Sequence, residues 1–396
     1  GLTVSAEEIF RDNRILEREK YLNISRSSYL FSKITFLFGL SAVQTLMYVL
    51  ISHRILQVEG MMWRHWLILF TTSCFGNMVG LNISAGMKSV ISIYILIPLV
   101  LVPQLLLGGA MIRFDDLHHS LTRKVYVPVI GDVMTTRWAY EAMAVEQFRS
   151  NRYMKPFFET DMLISRYDWQ SGYLVNELKR KSNEAAYTAG KPEYEEVYRN
   201  SLEILKTHIG ELSAETGLDP AQAMRVINRE PFTRDASYIV NDYVDSLQKN
   251  IRRKYLRQTA VKDSITGVLV AKMGKDELVR LKTATYNNDL ADIVLNRTVQ
   301  TKYYETEHRI IQKSDPVLMM PDSHIGRAHF YAPYKMVGNL KIGTLWFNML
   351  VIWLLNIFLF VTLYFNLLKL LLNLMERIKI PGIGSDRIVP PWELIK

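Results

Sequence analysis

Charged residues are absent from four long stretches of the chain: Ile34 to Ser52, His65 to Met87, Ser89 to Ile112 and Ile342 to Leu368. Each holds about 19 residues or more, enough at ~1.5 Å per residue to cross a hydrocarbon core of roughly 30 Å. Between the third and the fourth the pattern changes. Apolar residues there recur every three or four positions, most clearly in "EYEEVYRNSLEILKTHIGELSAE", "DYVDSLQKNIRRKYLRQ" and "DELVRLKTATYNNDLADIVLNRTVQ". That period predicts helices, and in "GLDPAQAMRVI" Asp219 is placed as an N-cap with Pro220 in the first turn. Strand-like alternation is confined to "DSITGVLVAKM", and Pro316, Pro321 and Pro333 mark an irregular return to the last apolar run. The whole pattern predicts a mainly α, polytopic membrane protein with four transmembrane helices and a large helical extracytoplasmic insertion. Its expected parts are a cytoplasmic connecting helix (1–29), three spans (30–112), the outer domain (113–340), the last span (341–374) and a cytoplasmic tail (375–396).

Charge gives the orientation. Arg11, Arg14, Arg18, Lys20, Arg26 and Lys33 precede the first span, and Lys369, Arg377, Lys379 and Arg387 follow the last. The positive-inside rule places both ends in the cytoplasm, with Lys88 on the same side. The loop near His53 to Glu59 and the segment from Arg113 to about Lys341 then lie outside, although Arg54 and Arg64 count mildly against this. A net charge of +9 raises the question of nucleic acid. No zinc-finger, RNP or Gly-rich nucleotide signature accompanies it, so the basic residues are read as membrane flanks and no nucleic-acid partner is expected. The single cysteine, Cys74, excludes an intrachain disulfide and is read as a buried structural thiol. The chain begins without Met and with a charged, helix-like segment, which predicts the continuation of a longer polypeptide.

Candidate chemistry is sparse. No GxxxxGK[ST] loop occurs, and "GIGSD" lacks the lysine and the following helix of a phosphate loop. Among His118, His119, His308, His324 and His329, the best metal candidate is "PDSHIGRAH", with Asp322, His324 and His329 close together. Its spacing matches no zinc pattern, so these are read as loop residues satisfied by backbone. No catalytic, cofactor or metal site is expected in this chain. The amides Gln44, Asn77, Asn82, Gln104, Asn348, Asn356 and Asn366 fall in the predicted spans and are read as interhelical hydrogen-bonding groups, with direct substrate contact as the other possibility. In "LLLGGAMI" the adjacent Gly108 and Gly109 let the helix bend or let another backbone approach, and the apolar cluster there is a candidate gate.

Taken in order, "ILEREKYLNISRSSYLFSKI", two spans, "LLLGGAMIRF" and "RWAYEAMAVEQF" resemble the permease half of ABC-2 type exporters of the G subfamily, the white and pleiotropic-drug-resistance group. Glu17, Arg18 and Glu19, with Arg26, Ser28, Tyr29 and Lys33, match its cytoplasmic helix and the start of its third span. Gly109, Ala110 and Met111 match the end of its fifth, and Tyr140, Glu141, Ala142, Glu146 and Phe148 the stretch beyond. The resemblance covers about residues 8 to 155 and the final span. It implies that Arg11, Arg14, Glu17, Arg18, Glu19 and Lys20 belong to a coupling helix, and that Val102, Leu105, Gly109, Ala110 and Met111 line a cavity and gate. Tyr140, Glu141, Glu146 and Phe148 would belong to a re-entrant outer helix. On physical grounds Trp138 and Tyr140 suit an interfacial belt, with Glu141 and Glu146 facing water or capping neighbouring helices.

The resemblance further implies ATP-driven export of a hydrophobic or amphipathic substrate by alternating access, in a dimer, at the inner (plasma) membrane. ATP and Mg would be bound by a nucleotide-binding domain upstream in the same polypeptide, which would supply the ATPase activity. That domain, and the family's first two helices, are absent from these residues. The outer segment is longer than the family's usual loop and lacks its cysteines, which suits a bacterial relative with an elaborated periplasmic domain. Two other classes stay open: a membrane-anchored receptor or scaffold, and an outer-face membrane enzyme using Asp322, His324 and His329.

Overall fold

The computed structural model describes residues 1–12, 25–87, 89–118, 125–297, 302–321 and 323–377, with helix dominating throughout. Among the described residues three helices are long and apolar enough to cross a membrane: α1 (Arg26–Leu56), α2 (Met62–Gly86) and α10 (Thr344–Tyr364). The third predicted span is present as α3 (Val90–Leu106), an apolar helix of 17 residues. At ~1.5 Å per residue it reaches roughly 26 Å, a little short of a hydrocarbon core. The apolar run at the other end of the chain is longer than its helix, because Asn366 takes φ +49° and separates α10 from α11 (Leu367–Arg377).

The chain divides into two compact units. The first comprises Gly1–Val43, Ser73–Val102 and Trp353–Lys396. In it, residues 1–12 do not stand free as a polar helix: Leu2, Ala6 and Ile9 are buried, the first two against Ile83, Ile93 and Ile97. The approach is close because α2 presents glycines there; a Cβ on Gly80 would collide with Ser5 and with the carbonyl of Leu2. Ser84 Oγ accepts from the backbone N–H groups of Ile9 (3.0 Å) and Phe10 (2.9 Å). Two of the amides in the apolar stretches, Asn77 and Asn82, bond across helices as their cost in hydrocarbon requires, while Gln44 is exposed. Asn77 donates to Ser41 Oγ (2.7 Å) and Asn82 to the carbonyl of Leu359 (3.0 Å), while Thr362 donates to Asn82 (2.8 Å).

The second unit comprises Gln44–Thr72 and Pro103–Ile352. Its larger core is a helical bundle of α5 (Phe158–Trp169), α6 (Val175–Thr188), α7 (Glu195–Thr216) and α8 (Arg234–Met273), in which α6 packs on α7 and α8, and α5 on α8. Val240, Val244, Leu247 and Ile251, at helical spacing on α8, are fully buried there. The helix expected after Asp219 runs Ala221–Ile227 with Pro220, not Asp219, at its N-cap position and no side-chain cap; Asp219 Oδ1 accepts from Ala221 N (3.0 Å) just ahead of it. A second core gathers Phe148, Phe158, Val294, Val317, Tyr331 and Tyr334 around α4 (Thr135–Arg149).

The strand expectation fails. "DSITGVLVAKM" lies inside the 40-residue α8, which continues to Gly274 (φ +88°) and turns there into α9 (Lys275–Thr285). The segment continues the helix begun at Arg234, and its partly covered residues, Ile265, Thr266, Leu269 and Val270, recur at three and four, whereas the β-branched Val268 is exposed. The strands are instead two antiparallel hairpins in the stretch expected to be irregular: β1 (Tyr303–Glu305) with β2 (Ile310–Gln312), and β3 (Tyr334–Val337) with β4 (Leu340–Gly343). The Gly338-Asn339 dipeptide, with Gly338 at φ +58°, is the two-residue turn that sets the second register, Val337 opposite Leu340.

Candidate functional site

The corner after α3 is built around Gly109. It takes φ +78°, and a Cβ there would stand 2.7 Å from the Phe114 ring and 2.8 Å from that of Phe330, so both conformation and space demand glycine. The corner is tied to α4 through Gln104, whose Oε1 accepts from Thr136 N (3.2 Å) and whose carbonyl accepts from Thr136 Oγ1. Of the other candidate gate residues, Val102, Leu105 and Met111 are half or more exposed on the single chain, and Ala110 is exposed beside them.

Gly109 and Ala110 border a cavity of about 260 Å³, walled by the rings of Phe114, Tyr140, Phe330 and Tyr331. Tyr331 is held at φ +68°, a conformation that costs a bulky residue energy and persists only where surroundings impose it. Its hydroxyl donates to that of Tyr140 (3.4 Å), and burial pushes its pKa up, with Tyr140 adding to the shift. His329 borders the same cavity with Nε2 2.6 Å from the Pro316 carbonyl, and His324 Nδ1 lies 3.0 Å from the Gly338 carbonyl. Asp322, the third member of that motif, lies outside the described residues.

The stretch "RWAYEAMAVEQF" is not a surface helix. Along α4, Arg137, Trp138, Glu141, Glu146 and Phe148 are all buried. Glu141, expected to face water or to cap a neighbouring helix, is completely enclosed. Lys335 Nζ donates to its Oε2 at 2.9 Å, with both side chains 0% exposed, and Arg137 stands 3.5 Å away. Asn348, in the first turns of α10, donates both to Glu141 (2.9 Å) and to the Trp138 carbonyl (2.9 Å). Burial opposes ionisation of Glu141, but the charges of Lys335 and Arg137 and the hydrogen bonds from Lys335 and Asn348 outweigh it and hold the carboxyl below its usual range. Burial likewise pulls Lys335 down to about 8; Glu141 works against this and Arg137 reinforces it.

Trp138, expected in an interfacial belt, is buried under the Arg137 guanidinium (3.8 Å from the ring centroid) and donates Nε1–H to the Asp132 carbonyl (2.8 Å). Glu146, the other acid expected in water, pairs with Arg64 at 2.6 Å. Phe148 packs edge-on against Phe158 in the second core. The i, i+4 spacing of Arg137 and Glu141 was readable in the sequence. Lys335, 194 residues further on, carried no local signal.

Of the proposed coupling residues, Arg11 is exposed and pairs with Glu8 (3.0 Å), while Arg14, Glu17, Arg18, Glu19 and Lys20 lie outside the described residues. Next to them Lys33 bridges Glu8 (2.9 Å) and Asp12 (2.7 Å), and Tyr29 donates to Asp12 (3.0 Å).

Apolar helices of spanning length, amides satisfied across helices and a polar body joined to them define a multi-pass, mainly α-helical membrane protein. Residues 1–148 match the family model described as ABC-2 type transporter. The matched segment holds α1, α2, α3 and nearly all of α4, and a membrane domain of this type is the permease component of an ABC transporter, working with an ATPase partner. No curated protein and no solved structure matches the chain.

Proposed function

We propose that this chain is the permease region of an ATP-driven exporter of the G-subfamily kind, moving a hydrophobic or amphipathic substrate by alternating access in a dimer at the inner (plasma) membrane of a bacterium. The observation that carries the reading is the match over residues 1–148, which contains α1, α2, α3 and nearly all of α4. On this reading the segment from Arg11 to Lys20 docks on a nucleotide-binding domain of the same polypeptide, which holds ATP and Mg and supplies the ATPase activity. Exposed Val102, Leu105, Ala110 and Met111 then face a second protomer, since the helices of one chain are too few to enclose a path. The large body belongs to the outer, periplasmic side.

The test is transport by the complete protein in liposomes. In the charge-reversal variant Arg18→Glu with Glu19→Arg, ATP hydrolysis is expected to continue while ATP-driven efflux of an amphipathic dye falls to background. Normal coupling in that variant rejects the assignment of the segment. One observation favours a second reading, a membrane-anchored receptor: the polar body extends far beyond the matched segment and has a bundle core of its own. A complete protein without ATP-dependent efflux, whose outer body still binds a ligand, would select that reading.

A further inference from the structure

A second cleft, of about 560 Å³, opens where the start of α2, the end of α4, the start of α5 and the β4–α10 joint meet. Trp63 and Trp346, each in the first turn of a spanning helix, flank it and are 64% and 63% exposed, as indoles at a membrane–water boundary are. Trp66 stands behind Trp63 edge to face (5.7 Å) and stacks on Phe70, which extends the aromatic surface along α2. Three cations enter the cleft, Arg64, Arg149 and Lys155, against the carboxylates of Glu146 and Glu159.

These charges are unequally used. Arg64 and Glu146 neutralise each other at 2.6 Å. The Arg149 guanidinium lies over the Phe158 ring (5.3 Å to the centroid) and spends one N–H on the Pro333 carbonyl (3.1 Å). No carboxylate of the described residues stands within ion-pair distance of Arg149 or of Lys155, and Glu159 is exposed at the rim. A planar guanidinium with donors to spare, an ammonium beside it and two indoles flanking the cleft fit a group with a compact anionic head and an apolar tail.

We propose that this cleft binds the phosphate headgroup of an anionic membrane lipid, with Arg149 and Lys155 on the phosphate and the acyl chains along Trp63, Leu67 and Trp346. The inference needs only the membrane-spanning helices and holds whatever the transported substrate is. Its failure therefore leaves the transport reading intact, and failure of transport leaves it intact.

The experiment is quenching of tryptophan fluorescence in the complete protein, reconstituted with phosphatidylglycerol or phosphatidylcholine brominated on the acyl chains. Phosphatidylglycerol is expected to reach half-maximal quenching at the lower mole fraction. Arg149→Gln and Lys155→Gln should each cut that preference about five-fold, and Trp63→Phe with Trp346→Phe should remove the signal that reports it. Glu159→Gln should strengthen the preference, an opposite sign that a general loss of folding cannot produce. Lys155 is exposed, so its variant keeps the test valid if Arg149→Gln fails to fold. Equal quenching by the two lipids overturns the proposal. Loss of the preference on adding millimolar inorganic phosphate or glycerol 3-phosphate also overturns it, in favour of a site for free phosphate.

Discussion

Glu141 stands between two buried cations, Lys335 and Arg137, of which Arg137 also reaches the Asp132 carboxylate at 3.4 Å. Replacing it with Leu leaves the enclosed Lys335 without its paired carboxylate and Arg137 with Asp132 alone, a change expected to cost ~3–5 kcal/mol and to lower the detergent-solubilised protein's melting temperature sharply. Lys335→Met removes one buried charge and leaves Glu141 with Arg137 and Asn348, so its cost should be smaller, about 1.5 kcal/mol or less. Comparable losses in the two variants would show that Arg137 and Asn348 do not suffice to hold Glu141 once Lys335 is gone. The same group sets a pH dependence. Lys335 titrates near 8 when folded and near 10.5 when unfolded, so the unfolded chain binds more protons between those values. Stability from this group therefore rises with pH across that window, and the rise should be missing in Lys335→Met. Glu141 works at the other end: its contribution is present above the ordinary carboxyl value of 4.5 and fades as pH falls through its lowered one.

Among the elements, the corner after α3 and the distal half of α8 are opposites. At the corner, Gly109→Ala adds a methyl where two rings already stand within 3 Å and imposes φ +78° on a residue with a Cβ. A loss of ~1–3 kcal/mol is expected, together with disturbance of the Phe114–Phe330 edge contact at 5.0 Å. Ala110→Trp alters an exposed neighbour, so it should slow dye efflux while leaving thermal stability within about 0.5 kcal/mol of the parent. The distal part of α8 instead has little apolar cover: Leu256, Val261 and Val268 are exposed, and its last fully buried residue is Ile251. Val268→Ser is expected to leave the melting temperature almost unchanged, a result read by circular dichroism.

For the molecule as a whole, the corner between α1 and α2 and the large polar body share one side. Glu59 pairs with Arg152 (3.1 Å) and Arg64 with Glu146, which joins the corner to the end of α4. Cysteines introduced at Glu59 and at the exposed Tyr238 should therefore react with a membrane-impermeant maleimide from the same face. Cys74 is completely buried and gives little background. Labelling of the two from opposite faces would break the topology derived from the hydropathy pattern.

Much of this architecture is written in local patterns. A run of uncharged residues must either cross lipid or be enclosed, and the three-and-four period of Val240, Val244, Leu247 and Ile251 admits only a helix with one buried face. Both properties belong to neighbouring residues and survive without knowledge of the rest of the chain. The length of α3, the break at Asn366 and the hairpins at 303–312 and 334–343 depend on contacts and backbone angles that composition does not report. Least legible was the role of α4, whose mixed aromatic and acidic residues read as a helix lying at a surface. Burial inverted that reading because Lys335 and Asn348, about two hundred residues away, arrive to satisfy Glu141. A carboxylate can be enclosed only when distant parts of the chain bring the charges and donors that replace water, and such partners are chosen by folding, not by spacing.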